Sequence, residues 1–159
     1  KISNTMNTIN SDLIRRWTIF IGVFQILFGC IVGFIPPTAV IWFRGIVMAH
    51  IEFTANGVMM VVLALLLKEM SLTNIQKVVW FIALQLGTWC NGTSGIIMAI
   101  SGKSAPLLPN INSTNPPPLG VGNSVATALL GVTGISCIIA LCLSLLGLYK
   151  GLFKNPAYK

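Results

Sequence analysis

The sequence predicts an all-α integral membrane protein, a bundle of four transmembrane helices that forms a single domain over residues 1–159. Its 159 residues are 55% hydrophobic and only 8% charged, with a mean hydropathy of +0.85, whereas soluble domains are about 25% charged. Four apolar stretches are long enough to cross a hydrocarbon core, which takes about 20 helical residues. None has the alternating pattern of a membrane barrel, and helices satisfy their own backbone groups in lipid. This composition excludes an ordinary soluble domain and a disordered chain.

The predicted helices cover residues 13–35, 39–67, 75–101 and 124–150. The first ends at Pro36-Pro37, where the backbone loses amide donors. The second is long enough to tilt or to extend beyond the bilayer. The third and fourth are also longer than about 20 residues, so each is expected to span the membrane.

The basic residues predict the orientation. The formal charge is +7, from ten basic and three acidic residues. With four spans, only Arg44 and Lys103 face one side, and the other eight share the opposite side: Lys1, Arg15, Arg16, Lys68, Lys77, Lys150, Lys154 and Lys159. Because positive residues accumulate on the cytoplasmic side, both termini are predicted to be cytoplasmic. We expect a multi-pass protein of a bacterial inner membrane, with the bilayer and not nucleic acid as its partner.

Residues 101–124 form the only long connection, on the predicted outer side. Its Pro, Asn, Ser and Gly content favours extended, water-exposed chain. Such a loop can fold over the bundle as a lid or serve as a tether, and the sequence leaves both open. Asn112-Ser113-Thr114 also fits an N-glycosylation sequon.

Polar residues in the second helix are the first candidates for function, since ionisable groups are costly in a membrane. Glu52 and Asn56 lie about 40° apart around the helix, while His50 lies about 160° from Glu52. The helix therefore has two polar faces, and both cannot face lipid. We expect one to line the bundle core and the other a subunit interface.

His50 and Glu52 each allow more than one role. His50, the only His, can be a core residue hydrogen-bonded to a carbonyl or an axial ligand of haem iron. A zinc site needs about four ligands and is hard to build with one His. Glu52 can carry a proton, act as a general acid or base, or pair with His50 or a cation. The four Cys residues form no C-x-x-C pattern and are interpreted as small apolar residues.

The third helix carries small residues on one face, with Gly87, Asn91 and Gly95 at four-residue spacing. Such stripes allow helices to approach closely, and an Asn can hydrogen-bond across the contact. Helix packing explains the stripe as a whole. Asn91 is its candidate functional residue, because a small apolar residue would pack there without a buried amide.

The polar segments of the second and third predicted helices resemble those of a known family. Ala49-His50-Ile51-Glu52 followed by Asn56-Gly57 resembles the second helix of hydroxylaminobenzene mutases, and Gly87-Thr88-Trp89-Cys90-Asn91 resembles their third-helix element. That family is in turn similar to membrane-bound styrene-oxide isomerases, which share the His and the Asn-Gly. The resemblance covers about residues 13–150 and implies a four-helix membrane fold.

The resemblance also implies a site and a reaction. It makes His50 the axial ligand of haem b between subunits of a homotrimer, and it places Asn56 beside a small hydrophobic substrate. The isomerases carry an acid and a Tyr where this chain has Gly87 and Gly95, so the mutase pattern, which keeps the Glu, fits better. On that pattern the protein is an intramolecular transferase or isomerase that rearranges an aryl hydroxylamine without net redox change. Glu52 would then transfer a proton at the N–O oxygen.

In the same reading, Asn91 would orient the substrate. Two other classes of function remain open from the sequence. A non-catalytic four-helix subunit of a larger membrane complex would suit the loss of polar groups at Gly87 and Gly95. A proton-coupled small-molecule exporter would use Glu52 as its membrane acid, although the long outer loop is unusual for that class.

Overall fold

The computed structural model describes residues 11–153, and this part of the chain is helical. Its helices are α1 (Ser11–Gly33), α2 (Phe43–Leu66), α3 (Asn74–Ser101), α4 (Pro109–Thr114) and α5 (Ser124–Leu148). A 3-10 turn, Pro37–Ala39, lies between α1 and α2, and a π-helical turn, Tyr149–Phe153, follows α5. The described residues contain no strand, only an isolated bridge between Ser104 and Val121. The all-α prediction is confirmed for this range.

Three of the described segments are long and apolar enough to cross a membrane: Ser11–Gly33, Phe43–Leu66 and Ser124–Phe153. These agree with a membrane protein. Helix α3 has 28 residues, but its polar side chains, including Gln85, Thr88 and Asn91, lower its hydropathy. The fourth crossing and the side of the termini therefore stay predictions.

The prediction that the second helix begins at residue 39 is wrong. Residues up to Trp42 form the 3-10 turn and an extended linker, and α2 begins at Phe43. Pro36 and Pro37 cannot donate backbone hydrogen bonds, which favours a break here. The amides of Ile41 and Trp42 instead donate to the carbonyl of Ala99, at 3.1 and 3.0 Å. This linker is thus held against the end of α3.

The long helices pack mainly on their neighbours in the chain: α1 on α2, α2 on α3, and α3 on α5, with a smaller contact between α1 and α3. Small residues allow the close approaches. A Cβ on Gly57 would lie 2.6 Å from the carbonyl oxygen of Gly22, and a Cβ on Gly45 would lie 2.7 Å from that of Gly95. Helix α2 is therefore in close contact with α1 on one side and α3 on the other.

Polar contacts stabilise the start of α3 and join it to the start of α1, at the same end of the bundle. Thr73 and Gln76 form a capping box at the start of α3. Lys77 Nζ donates to the Ser11 hydroxyl at 2.7 Å, joining the starts of α1 and α3. Arg15 and Arg16 of the predicted cytoplasmic group lie at this end, whereas Lys1, Lys154 and Lys159 of that group fall outside the described residues.

The loop between α3 and α5 is folded, so the expectation of extended, exposed chain is wrong in part. It contains the six-residue helix α4. Asn112 Nδ2 donates to the Ala105 carbonyl at 3.0 Å, and Asn112 Oδ1 accepts a hydrogen bond from the Ser104 hydroxyl. The sequon residue thus holds the loop closed through its own side chain. Asn123 Nδ2 adds a 2.8 Å bond to the Ser101 hydroxyl.

Candidate functional site

Glu52 and Asn91 form a polar pair between α2 and α3. Asn91 Nδ2 donates a hydrogen bond to Glu52 Oε2, and both residues are partly exposed. The Asn91 carbonyl in turn accepts a 2.6 Å bond from the Ser94 hydroxyl. The structure therefore brings together two of the sequence-predicted site residues.

This pair lies in the wall of a cavity of about 200 Å³. Its lining is shared among α2, α3, the loop with α4, and α5. It consists of Arg44, Met48, Ile51, Glu52, Asn91, Ser94, Gly95, Leu108, Ile111 and Leu130. Most of these side chains are apolar, and a few polar groups face them, which is the usual composition of a small-molecule site. Leu108 and Ile111 come from the loop, so the loop covers this cavity.

Gly87 and Gly95, where the resemblance implies polar residues in the isomerases, are packing positions here. A Cβ on Gly87 would lie 2.7 Å from Cys137 Sγ, on α5. A Cβ on Gly95 would lie 2.8 Å from the amide nitrogen of Ala49 and 2.9 Å from the Gly45 carbonyl oxygen, both on α2. Real Cβ atoms do not approach backbone that closely, so a Tyr at position 95 requires α2 and α3 to separate.

His50 lies on the other side of α2, against α1. Its Nδ1 is 2.8 Å from the Gly29 carbonyl oxygen. A carbonyl oxygen can only accept, so Nδ1 carries the proton, and Nε2 of the neutral ring keeps its lone pair. A Cβ on Gly33 would lie 2.8 Å from His50 Nδ1, which means that Gly33 leaves the space the ring occupies.

This arrangement fits an axial haem ligand. Metal-bound His residues usually donate their other N–H to a carbonyl or carboxylate, which fixes the ring and its tautomer. Within residues 11–153 no hydrogen bond to His50 Nε2 is found. The same part of the chain contains no group of three or more His, Cys, Asp or Glu residues placed to hold a metal ion. One nitrogen is enough for haem iron, however, so the donor set suits haem better than a free metal ion.

Asn56 is buried, with 9% of its surface exposed, and does not line the Glu52–Asn91 cavity. Within the described residues its Nδ2 has no hydrogen-bond partner, and neither amide atom of the fully buried Gln25 has one. Because Gly22 packs on Gly57 and Gly29 on Phe53 and Thr54, Gln25 of α1 is level with Asn56 of α2. The four candidate residues therefore do not meet at one point within a single chain.

Comparison with models of protein families identifies the family of this chain. The family model for styrene oxide isomerase matches residues 14–149, which is most of the chain. The chain belongs to the styrene oxide isomerase family. Searches of curated proteins and of solved structures gave no match. The predicted relationship to styrene-oxide-isomerase-like membrane proteins is thus confirmed, and the family suggests a membrane isomerase.

Several residues that line this cavity were not among the predicted site residues, and Arg44 is the charged one. Arg44 was interpreted only as a topology charge, yet it lines the cavity and its Nε is buried without a hydrogen-bond partner among the described residues. Arg44 lies about 80° around α2 from Glu52, so the helical period alone places the two residues on neighbouring faces of the helix. Cys137 packs against Gly87 from α5, and no local pattern in the sequence indicates that contact.

Proposed function

We propose that the protein is a membrane isomerase of the hydroxylaminobenzene mutase type, acting on a small aryl hydroxylamine in the Glu52–Asn91 cavity. The observation that carries the proposal is the carboxylate–amide pair in the wall of an otherwise mostly apolar cavity of about 200 Å³. An engineered apolar cavity of about 150 Å³ holds benzene. A single aromatic ring with a short polar substituent therefore suits this space.

The proposed reaction moves the hydroxyl group from nitrogen to a ring carbon. The N–O bond breaks, a C–O bond forms at the ring, the attacked carbon loses its proton, and nitrogen gains one. Substrate and product are isomers, an aryl hydroxylamine and an aminophenol, so no external oxidant or reductant is needed.

Glu52 is the proposed proton-transfer group and Asn91 the proposed positioning group. N–O cleavage needs a proton at the departing oxygen, and loss of the ring proton needs a base. One carboxyl can serve both steps in turn, because it returns to its starting protonation state after each cycle. The Asn91 amide donates a hydrogen bond to the Glu52 carboxylate from the facing helix. This bond limits the rotation of the Glu52 side chain and keeps its carboxylate at the cavity.

The packing at Gly87 and Gly95 favours the mutase reaction over epoxide isomerisation. Where the resemblance implies an acid and a Tyr in the isomerases, this chain has Cys137 against Gly87 and the α2 backbone against Gly95. The space for those side chains is filled. Glu52 is instead the carboxyl that faces the cavity.

We further propose that His50 holds haem b through Nε2. The bond from Nδ1 to Gly29 and the space at Gly33 support this ligand role. When bound, haem iron would supply a Lewis acid for a substrate oxygen. By the resemblance, haem b would lie between subunits of a homotrimer, and the position of His50 and Glu52 on opposite faces of α2 agrees with a site that one copy does not complete. The resemblance also gives Asn56 a place beside the substrate, although Asn56 is buried and does not line the Glu52–Asn91 cavity of its own chain.

The proposed setting is the inner membrane of a bacterium, with four crossings and cytoplasmic termini. Arg15, Arg16 and Lys77 lie at one end of the described bundle, and Arg44 and Lys103 lie at the other. That asymmetry supports the orientation through the preference of basic residues for the cytoplasmic side.

The test uses the full chain purified in detergent, with hydroxylaminobenzene and styrene oxide as alternative substrates. We expect conversion of hydroxylaminobenzene to aminophenol, with little conversion of styrene oxide. An absorption spectrum should show a haem Soret band that is lost in His50→Ala. Turnover of styrene oxide alone would overturn the mutase assignment, and a colourless, active protein would overturn the haem assignment.

The non-catalytic alternative has its own outcome in this experiment. A protein that turns over neither substrate and copurifies from native membranes at fixed stoichiometry with other chains would be a subunit of a larger complex. Proton-coupled uptake into vesicles that depends on Glu52 would instead indicate an exporter.

A further inference from the structure

Arg44 is a cation in the wall of the Glu52–Asn91 cavity without an acidic partner among the described residues. It is the second residue of α2, and its Nε is buried with no hydrogen bond. The ion pairs found in residues 11–153 both belong to Asp12, at the start of α1. Burying part of a guanidinium is costly unless something pairs with it. The missing partner is therefore best sought in the cavity.

The positions of the charges along α2 define the size and polarity of that partner. Arg44 and Glu52 are eight residues apart, about 12 Å along the helix and about 80° around it. Both line the same cavity, and between them lie the apolar side chains of Met48 and Ile51. A matching molecule has an anionic group at one end, an apolar ring in the middle and a proton-accepting group at the other.

On this basis we infer that the cavity takes an aryl hydroxylamine that carries an anionic substituent, such as a carboxylate opposite the hydroxylamine, and that Arg44 binds this substituent. The inference rests on the proposed function, since it names the substrate class of the same site. Arg binds carboxylates through two parallel hydrogen bonds, which gives orientation as well as affinity.

The cation at one end of the cavity also fixes the orientation of the substrate. A carboxylate is attracted to Arg44, whereas Glu52 must hold its proton to act on the N–O oxygen and so offers no positive charge. The hydroxylamine is then left beside Glu52 and Asn91, where the proton transfer is proposed. The start of α2 adds partial positive charge at the Arg44 end, because its N-cap Trp42 offers no side-chain hydrogen bond.

The experiment compares hydroxylaminobenzene with 4-hydroxylaminobenzoate in the full-length protein. We expect a higher kcat/KM for the carboxylate, and we expect Arg44→Gln to lower the ratio of the two values by about 10- to 100-fold, the range for a hydrogen bond to a charged group. Arg44→Lys should recover part of the ratio, because lysine keeps the positive charge but cannot form two parallel hydrogen bonds to a carboxylate. Lys103→Gln is the matched control: Lys103 is basic, exposed and does not line the cavity, so the ratio should be unchanged.

A binding measurement separates this inference from the proposed reaction. The unreactive probe 4-aminobenzoate should raise the Tm of the wild-type protein but not that of Arg44→Gln, and aniline should raise neither by as much. That result supports the anion site even if no mutase activity is found. Turnover of hydroxylaminobenzene with no carboxylate preference and no probe binding overturns the anion site while the mutase proposal stands. A Tm that depends on Arg44 only when anionic lipid is added would assign the guanidinium to a lipid phosphate and also overturn the inference.

Discussion

Glu52 is the residue on which the proposed chemistry depends most directly. Of the three acidic residues in the sequence, it alone lies in the middle of a long helix, with Asp12 near the start of α1 and Glu69 beyond the end of α2. Replacing Glu52 with Gln keeps an oxygen that can accept from Asn91 but removes the ability to exchange a proton. This substitution therefore tests proton transfer separately from the hydrogen bond to Asn91.

We expect Glu52→Gln to lower kcat for hydroxylaminobenzene by about 100-fold or more, the usual contribution of a general acid or base. Initial rates of aminophenol formation measure this. Glu69→Gln removes a carboxyl outside the site and should leave the rate unchanged. Near-normal activity in Glu52→Gln would show that proton transfer uses another group.

Gly33 controls the position of the His50 ring. An added Cβ would lie 2.8 Å from Nδ1 and 3.2 Å from two ring carbons, so Gly33→Ala must push the imidazole away from the Gly29 carbonyl. We expect the haem content of Gly33→Ala, measured from the Soret absorbance per protein, to fall several-fold. Gly134→Ala on α5 is the matched control, because a Cβ there meets nothing within 4 Å. Equal haem content in both variants would argue against the ligand geometry at His50.

At the scale of elements, the loop with α4 is held by a few side-chain hydrogen bonds. Asn112 is the central one, since its amide bonds to both Ala105 and Ser104. Leu108 and Ile111 beside it cover the cavity. The loop therefore combines a fixed base with an apolar inner surface, which suits a lid over a small-molecule site.

We expect Asn112→Ala to loosen this lid. The substitution removes the bond to the Ala105 carbonyl and leaves the Ser104 hydroxyl, a buried group, without its acceptor, at a cost of about 1–3 kcal/mol. Hydrogen exchange of residues 101–124 should rise, and KM for the aryl substrate should increase more than kcat falls. The neighbouring Asn110→Ala, at an exposed side chain, should change neither. Unchanged exchange in Asn112→Ala would show that backbone contacts alone hold the loop.

At the scale of the whole molecule, the sequence predicts the helices much better than their assembly. Apolar length and proline position are local properties, so the long helices could be predicted to within a few residues, apart from the start of α2. The separation of His50 and Glu52 onto two faces also follows from helical periodicity. The position of α4 over the cavity could not be predicted, because it depends on contacts between segments distant in the chain.

The contact between α2 and α3 is closest to backbone at Gly45 and Gly95, and a substitution at Gly95 tests how closely these helices must pack. An Ala at position 95 places its Cβ 2.8 Å from the Ala49 amide nitrogen and 2.9 Å from the Gly45 carbonyl oxygen. Backbone atoms cannot move away as a flexible side chain can. The helices must therefore separate, and overpacking of this kind costs about 1–3 kcal/mol.

We expect Gly95→Ala to lower the Tm of the detergent-purified protein clearly, while Gly131→Ala, where a Cβ meets nothing within 4 Å, leaves it unchanged. Gly95→Tyr should be less stable still and should not gain styrene oxide turnover, because the ring has no space unless α2 moves and carries Glu52 away from Asn91. A stable Gly95→Tyr variant that converts styrene oxide would show that α2 and α3 can separate without losing the site. The close contact would then be a consequence of the glycine and not a requirement of the fold.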